Sequence, residues 1–389
     1  MTNLDGPLPR RHRRWLLPAA TAACLLATGV GPAAAAPAAA GQTPADILQA
    51  GAQQGVADGY PGVTGMVRKG DTAQYVHAGY GNVADKVPAD PKAQYRIGSN
   101  TKAFVSTVLL QLESEGRLSL DDTVDHWLPG AVAANGYDGT RITIRQLLNH
   151  TSGLPDYLGS LQISTPYFLN INQRQAYPPQ TLVDVALGLH APTSGPGEKF
   201  GYSNTNYALA GMVIKAVTGA GPAEEIQRRI IAPLGLDDTS FPTSDPALHG
   251  NHLHGYVLRA VFVNDDTVSN VQVSGSAGAM VSTLDDLATF SRALMTGKLL
   301  KPQQMTELKT TVPVTTDVGY GLGIEHEKLP CGKWAWGHNG AVLGYFNNWL
   351  SSEDGTEQAL NVNNEFHMQG GTPGQAHTGK ALTDAFCAL

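Results

Sequence analysis

The sequence has few charged residues and, beyond its first forty residues, no concentration of positive ones. Asp, Glu, Lys and Arg make up 15% of its 389 residues, the formal net charge is −7, and no stripe of Lys and Arg occurs after residue 40. Only three cysteines are present, and none has zinc-finger spacing with histidine. An acidic chain without a basic surface is a poor partner for nucleic acid or anionic polymers. These absences argue against nucleic-acid binding.

Several widespread enzyme signatures are also missing. The chain has no G-x-S-x-G elbow, which argues against the α/β-hydrolase fold, no phosphate-binding P-loop and no dinucleotide-binding fingerprint. Its hydrophobic fraction of 42% is enough for a sizeable core, and the composition is not that of a disordered, fibrous or membrane protein. The length fits two domains or one large enzyme fold with an insertion.

Residues 1–40 have the composition of a secretory signal peptide. Arg10, Arg11, Arg13 and Arg14 precede an apolar run that is short for a membrane span, and small residues follow. We therefore expect a secreted protein that leaves the membrane after processing, with its folded part over residues 41–389. Removing residues 1–38 takes away four Arg and one Asp, so the formal net charge becomes −10.

Only Cys331 and Cys387 remain outside the predicted signal, which contains Cys24. In an exported protein, two such cysteines are expected to form a disulfide, which stabilises by roughly 4 kcal/mol in the chain-entropy model. The alternative is a pair of free, buried thiols.

The residue pattern changes twice along the mature chain. Residues 61–95 indicate short strands with Gly-bearing turns, residues 120–275 carry mostly helical signals, and strand-like pieces return between residues 320 and 365. Helices are predicted at residues 41–55, 98–116, 282–297 and 380–389. In the second of these helices, apolar residues recur at spacings of three and four, which are Phe104, Val105, Val108, Leu109 and Leu112.

The simplest assembly of these elements pairs the first and last strands in one antiparallel sheet. The fold class is then α/β (more strictly α+β): an antiparallel sheet flanked by helices, with an inserted, mainly helical lobe. The sheet lobe would cover residues 41–98 and 280–389, and the helical lobe about residues 99–279. A cleft is expected where the two lobes meet.

The stretch GSNTKAF begins at residue 98, where the long helix is predicted to start. Ser99 and Lys102 are three residues apart, so their side chains share one helix face about one turn apart. The helix N-terminus favours developing negative charge, and a lysine whose pKa is lowered by burial can take the proton of a serine. The spacing therefore indicates a nucleophile beside its base. The alternative is a serine cap and a lysine without a catalytic role.

Two further motifs follow in order, YSN at residues 202–204 and HNG at residues 338–340. Together with S-x-x-K at residues 99–102, they resemble the three signatures of the penicillin-recognising serine hydrolases. The group that resembles the chain most is the secreted Streptomyces-type D-alanyl-D-alanine carboxypeptidases, with class C β-lactamases as cousins. The stretch TIRQLLNHTSGLPDY, residues 143–157, is also similar to one typical of this group. The resemblance covers nearly the whole mature chain and implies a β-lactamase/transpeptidase-like fold with a single disulfide.

The resemblance also implies a role for each matching residue. Ser99 would be the acylated nucleophile, and Lys102 and Tyr202 would share proton transfer, with the identity of the general base left open. His338 would stand where lysine is usual and keep the site electropositive. The backbone N–H groups of Ser99 and Ala341 would form the oxyanion hole. The residues implied in substrate binding are Asn204, which would bond a substrate amide, Asn339, Gly340, Ala341 and Glu325. Taken singly, each of these residues also fits a turn or a sheet edge.

Two positions depart from the family pattern. Asn339 stands where Thr or Ser is usual, so an amide replaces a hydroxyl. Glu325 stands where the carboxypeptidase group has a basic residue that grips the terminal carboxylate of the substrate. A carboxylate there repels a free C-terminus and favours a neutral amide or ester end, or an amine. The alternative is that Glu325 points to solvent and another cation grips the substrate.

These observations predict a serine hydrolase that forms an acyl-enzyme at Ser99 and cleaves amide, peptide or ester bonds of substrates with a D-amino acid. Water or an amine would accept the acyl group, so aminolysis and transpeptidation are expected side reactions. We expect a monomer that needs no metal or organic cofactor, with β-lactams as additional ligands. The alternatives are a D-alanyl-D-alanine carboxypeptidase, a β-lactamase or esterase, and an inactive penicillin-binding sensor.

Three histidines, His249, His252 and His254, lie close together in the sequence. Their spacing matches no standard zinc site, and no carboxylate is fixed beside them by the pattern. A polar loop before a strand is the favoured interpretation.

Overall fold

The computed structural model describes residues 41–259, 262–367 and 371–389. The signal peptide predicted for residues 1–40 lies outside the described residues. The helices, in chain order, are α1 Pro44–Ala57, α2 Thr101–Ser114, α3 Val124–Trp127, α4 Ile144–Leu148, α5 Leu161–Phe168, α6 Pro179–Leu187, α7 Asn204–Thr218, α8 Pro222–Ile226, α9 Ala232–Leu234, α10 Val271–Gly278, α11 Leu284–Met295, α12 Pro302–Lys309 and α13 Pro373–Ala388. The strands are β1 Gly62–Lys69, β2 Thr72–Asn82, β3 Val87–Pro88, β4 Tyr95–Arg96, β5 Tyr256–Arg259, β6 Phe262–Asp265, β7 Val281–Ser282, β8 Val312–Pro313, β9 Val318–Tyr320, β10 Glu325–Lys328, β11 Trp334–Val342, β12 Tyr345–Ser351, β13 Glu357–Asn363 and β14 Glu365–Phe366.

A nine-stranded antiparallel sheet forms the centre of the protein. Its order is β3-β2-β1-β13-β12-β11-β10-β9-β8. The first strand of the chain pairs with β13, with Val63 opposite Asn363 and Lys69 opposite Glu357, so the two ends of the chain meet in one sheet as predicted. The predicted α+β fold class, an antiparallel sheet flanked by helices, is confirmed.

Helices α1 and α13 cover one face of the sheet and pack closely against each other. A Cβ atom on Gly51 of α1 would lie 2.0 Å from the Cβ of Ala381 in α13, so the helices need glycine at this crossing. Leu48, Leu382 and their neighbours form an apolar cluster with the sheet. The disulfide between Cys331 and Cys387, with 6.1 Å between the Cα atoms, attaches the end of α13 to the turn after β10.

Replacing both cysteines by serine is expected to lower the free energy of unfolding by about 2–4 kcal/mol, because the bond closes a long loop in the unfolded chain. Activity at Ser99 should stay unchanged, since the disulfide lies on the side of the sheet that α13 covers. Urea denaturation of both proteins, with an esterase assay as the control, measures the two quantities. An unchanged unfolding midpoint would contradict the expected contribution of the disulfide.

Helix α2 runs through the core and is buried on every side. The predicted apolar positions, such as Phe104 and Leu112, are fully buried, but so are Ser106, Thr107 and Leu110. A helix without a solvent-exposed face is a central element rather than an amphipathic surface helix. The predicted helix therefore exists, but all of its faces are buried over residues 101–110 rather than one.

The middle of the chain is mainly helical, from α3 to α10, with one difference from the prediction. Strands β5 and β6 form a hairpin, and β14 pairs with β5 in parallel, with Glu365 opposite Tyr256. This pairing joins segments about a hundred residues apart, which a local sequence pattern does not contain. The histidines at 249, 252 and 254 lie in the loop before β5, as the polar-loop interpretation expected.

Across the described ranges, no cluster of three or more His, Cys, Asp or Glu side chains has an arrangement that could hold a metal ion. In these same ranges, no helix has the length and apolar character needed to cross a membrane.

Candidate active site

The nucleophile candidate lies in a tight turn just before α2. Residues 98–100 form a 3-10 turn, and α2 begins at Thr101, three residues later than the sequence predicted. Ser99 is partly exposed in this turn, whereas Lys102 in the first turn of α2 is completely buried. The Lys102 Nζ atom lies 3.1 Å from Ser99 Oγ, within hydrogen-bond distance.

Lys102 is held by two further acceptors. Its Nζ atom donates to Asn204 Oδ1 at 2.9 Å and to the backbone oxygen of Ala277 at 2.8 Å. A buried amine with several hydrogen-bond partners has a fixed position. Elements α2, α7 and α10 therefore converge on this one atom.

Tyr202 approaches the same serine from the loop before α7. Its hydroxyl donates to Ser99 Oγ at 2.8 Å, and its ring centre lies 4.8 Å from Lys102 Nζ. The serine oxygen thus has two groups within proton-transfer distance. The structure brings together the three residues that the motifs named.

Asn204 connects this cluster to a carboxylate that the sequence analysis missed. The Asn204 side chain accepts from Lys102 and donates through Nδ2 to Asp156 Oδ2 at 2.8 Å, and the Asn204 backbone N–H donates to the same oxygen at 3.1 Å. Burial raises the pKa of Asp156, while these hydrogen bonds oppose the shift. Both ends of the Asn204 amide have protein partners, and its predicted bond to a substrate amide stays a prediction.

Two close backbone approaches place the turn of Ser99 against strand β11. Gly98 has φ +54°, and a Cβ atom on it would lie 2.8 Å from the backbone nitrogen of Ala341. A Cβ atom on Gly340 would lie 1.9 Å from the oxygen of Ile97. The backbone segments that carry the predicted oxyanion-hole N–H groups of Ser99 and Ala341 are therefore adjacent.

Gly98→Ala is expected to slow acylation by about 100-fold, because the new methyl group separates the turn from β11 and moves one oxyanion donor. Stability should fall by about 1–3 kcal/mol through overpacking and a left-handed alanine. Gly116→Ala is the matched control, since Gly116 also has positive φ (+70°) but nothing within 4 Å of its Cβ position. Acylation kinetics and thermal unfolding of both variants test this, and equal behaviour of the two would contradict it.

His338 is buried on β11, and its surroundings argue against the expectation that it keeps the site electropositive. Burial, together with Lys102, lowers the pKa of His338 to about 3, so its imidazole is neutral near pH 7. Nδ1 lies 2.5 Å from the Asn339 carbonyl oxygen and Nε2 lies 3.0 Å from the hydroxyl of Tyr320. The proton therefore belongs on Nδ1, and Tyr320 donates to Nε2.

Glu325 lies at the start of β10, next to the HNG segment. It is opposite Gly337 in the pairing with β11, so its side chain shares a sheet face with Gly337 and Asn339. The side chain is partly buried rather than fully solvent-facing, and Asn339 is buried. Burial, and then the charge of Glu327, raise the pKa of Glu325 to about 8. The pairing of β10 with β11 stops at Gly337, and within the described ranges no strand covers that edge of residues 338–342.

Comparison with known proteins identifies the family. Residues 47–359, most of the chain, match the family model described as Beta-lactamase. The chain belongs to the β-lactamase family. The resemblance to the penicillin-recognising serine hydrolases, which the three motifs indicated, is confirmed.

Two solved structures show which members of the β-lactamase family this chain is similar to. The crystal structure of a D-stereospecific amidohydrolase from Streptomyces sp. is 39% identical, with a TM-score of 0.79 over 82% of this chain and 94% of that one. A D-amino acid amidase from Ochrobactrum anthropi SV3, complexed with D-phenylalanine, is 25% identical, with a TM-score of 0.76 over 88% of this chain and 98% of that one.

Relatives with longer chains are also found. A penicillin-binding protein of Bacillus subtilis strain 168 is 29% identical over 282 residues, which are 68% of this chain and 59% of that protein. The protein named flp from Staphylococcus aureus strain N315 is 37% identical over 232 residues, which are 58% of this chain and 44% of that protein. The chain thus spans about half the length of the curated relatives that it matches.

Proposed function

We propose that this member of the β-lactamase family is an amidohydrolase that forms an acyl-enzyme at Ser99. The observation that supports this most directly is the position of Ser99 Oγ, 3.1 Å from Lys102 Nζ and 2.8 Å from Tyr202 Oη. A serine hydroxyl becomes a useful nucleophile when a neighbouring base takes its proton. Lys102 or Tyr202 serves as that base when it is deprotonated, because both lie within the required distance.

The proposed reaction has two stages. Ser99 Oγ attacks the carbonyl carbon of the substrate, its proton passes to Lys102 or Tyr202, and a C–O bond forms. The tetrahedral intermediate collapses when the C–N bond breaks and that proton is delivered to the leaving nitrogen. Water then attacks the ester carbon, gives up its proton to the same base and releases the acid, and the proton returns to Ser99. An amine in place of water gives a new amide.

The carbonyl oxygen of the substrate would accept hydrogen bonds from the backbone N–H groups of Ser99 and Ala341. The close approach of Gly98 to Ala341 places these two segments side by side. A substrate chain lying along the uncovered edge of residues 338–342 would have its backbone groups paired by β11. Asn339 and Glu325 share a face at this edge and would contact the part of the substrate beyond the scissile bond.

The proposed substrates are amides, esters or peptides of D-amino acids. A carboxyl group at position 325 favours a neutral or amine-bearing end over a free carboxylate, most strongly where Glu325 is ionised. The similarity to a D-stereospecific amidohydrolase and a D-amino acid amidase, by their names, supports the same substrate class. Carboxypeptidase action on free D-alanyl-D-alanine ends is the less favoured alternative. β-Lactams are proposed as ligands that acylate the same serine.

We further propose that the enzyme is exported and acts as a monomer. The composition of residues 1–40 supports export. The Cys331–Cys387 disulfide supports it independently, because structural disulfides persist in oxidising compartments.

A substrate panel tests the proposed function. The purified protein is given a D-amino-acid amide, its L enantiomer, the corresponding ester, and a peptide ending in D-Ala-D-Ala. We expect the D-amide to be hydrolysed at least about 100-fold faster than the L-amide, and faster than the carboxylate-ended peptide. Preference for the carboxylate-ended peptide would instead indicate a carboxypeptidase. Equal rates on both enantiomers would overturn the proposed stereospecificity.

A further inference from the structure

His150 is a fully buried residue that the proposed reaction does not use. It follows helix α4 in a left-handed conformation, with φ +58°. Its backbone oxygen accepts the N–H of Gly201 at 2.8 Å, and its Nδ1 atom accepts the N–H of Ser203 at 3.2 Å. These donors come from the residues immediately before and after Tyr202. One residue therefore holds the backbone on both sides of the phenol that contacts Ser99.

The imidazole ring also supports the Tyr202 side chain directly. The two ring centres lie 4.2 Å apart, with an angle of 32° between the planes. The position of the imidazole is fixed in turn by Asn206, whose Nδ2 donates to Nδ1 at 3.0 Å. His150 thus positions Tyr202 through both hydrogen bonds to the neighbouring backbone and contact between the two rings.

These hydrogen bonds define the protonation state of His150. Nδ1 accepts two N–H groups, so the ring proton lies on Nε2, which has no hydrogen-bond partner among the described residues. Burial, together with the neighbouring Lys102 and His338, lowers the pKa of His150 well below its usual value. A buried N–H without a partner is unfavourable. An apolar residue in place of His150 would remove the unpaired N–H, but it could not accept hydrogen bonds from the Ser203 backbone N–H and the Asn206 side chain.

We propose that His150 is the positioning residue for Tyr202 and that it acts on catalysis only through the contact between Tyr202 and Ser99. The inference rests on the proposed function, since it assumes that Tyr202 exchanges a proton with Ser99. The 2.8 Å contact between the two hydroxyls is short enough that a shift of about 1 Å removes it. A misplacement of that size can lower a rate by about 100-fold.

The test compares His150→Asn in two backgrounds. Asparagine tolerates the left-handed backbone and keeps an acceptor near the Nδ1 position, but it removes the ring beneath Tyr202. The measured quantity is the second-order rate of Ser99 labelling by a fluorophosphonate, which does not depend on the substrate class. We expect His150→Asn to slow labelling by on the order of 10- to 100-fold in the native sequence and by less than about 2-fold in a Tyr202→Phe background.

Thr151→Val is the matched control, because Thr151 is the next residue, is also buried, and loses a hydroxyl bond to Asn149. It should label within about 3-fold of the native protein, whatever its change in melting temperature. Should His150→Asn not fold, Asn206→Ala replaces it in the test, because it removes one donor to Nδ1 of His150. Its labelling rate is likewise compared in the native and Tyr202→Phe backgrounds. We expect Asn206→Ala to slow Ser99 labelling by about 3- to 10-fold in the native sequence and to leave the rate unchanged in the Tyr202→Phe background.

Each outcome has a defined meaning. Labelling of His150→Asn at the native rate, or an equal loss with and without the Tyr202 hydroxyl, would overturn the positioning role alone. An equal loss in Thr151→Val would reduce the effect to general destabilisation and overturn it as well. Absence of labelling in the native protein would overturn the proposed function together with this inference.

Discussion

Replacing Lys102 with methionine is expected to slow acylation of Ser99 by about 10³-fold, within the 10²- to 10⁴-fold range typical of proton-transfer groups. Methionine keeps the length and most of the volume of the side chain, but it cannot contact Ser99 Oγ as a proton carrier. It also leaves Asn204 Oδ1 and the Ala277 oxygen without their donor, so thermal stability should fall too. Stopped-flow acylation by an activated ester separates the two effects, because it reports the folded enzyme only.

Lys215→Met is the matched control for this experiment. Lys215 lies exposed on α7, so its replacement removes the same charge without touching the site. Its acylation rate should equal that of the native protein. A Lys102→Met variant that acylates within about 10-fold of the native rate would contradict a proton-transfer role for Lys102. Tyr202 would then be the base to examine, with Tyr202→Phe as the variant.

Glu325→Arg is expected to change the ratio of rates on carboxylate-ended and amide-ended substrates by about 30-fold in favour of the carboxylate. One charge pair at about 4 Å is worth about 4 kcal/mol at an effective dielectric of about 20, and screening at this partly exposed edge leaves about half of it. The measurement is kcat/KM on a D-amino-acid amide and on a peptide ending in D-Ala-D-Ala. Asp317→Arg is the control, since it makes the same charge reversal at an exposed position in the turn before β9.

The pH dependence of KM for the carboxylate-ended peptide distinguishes an effect of the charge of Glu325 from an effect of its size. The pKa of Glu325 is raised to about 8, so the carboxyl is largely neutral at pH 7 and ionised at pH 9. Repulsion of a free carboxylate therefore increases as pH rises through about 8, and KM for the carboxylate-ended peptide should rise several-fold over that interval. In Glu325→Gln this rise should be absent. A Glu325→Arg variant with an unchanged substrate ratio would show that the side chain does not face the substrate.

Much of the site could be predicted from the sequence because its chemistry is local. Ser99 and Lys102 are three residues apart, and any helical turn brings them together. Tyr202 and Asn204 stand in a three-residue motif whose order after S-x-x-K is distinctive. The antiparallel sheet could be predicted because strand patterns occur at both ends of the chain and helical ones between them.

The remaining features depend on tertiary contacts that no local pattern contains. His150 and Asp156 follow α4 in a stretch that is similar to one typical of the family, but nothing in its spacing shows that they hold Tyr202 and Asn204. The neutral state of His338 follows from burial beside Lys102, and an isolated sequence gives no burial. For the same reason, the partial burial that raises the pKa of Glu325 could not be predicted, although the presence of a carboxylate there could.

The most direct test of the account is to locate the covalent bond. The native protein and a Ser99→Ala variant are treated with a fluorophosphonate, digested and mapped by mass spectrometry, and both are assayed on a D-amino-acid amide. We predict one adduct, on the peptide that contains Ser99, and loss of both the adduct and the amidase activity in Ser99→Ala. An adduct on a different residue, or native turnover by Ser99→Ala, would contradict the central claim that catalysis proceeds through an ester of Ser99.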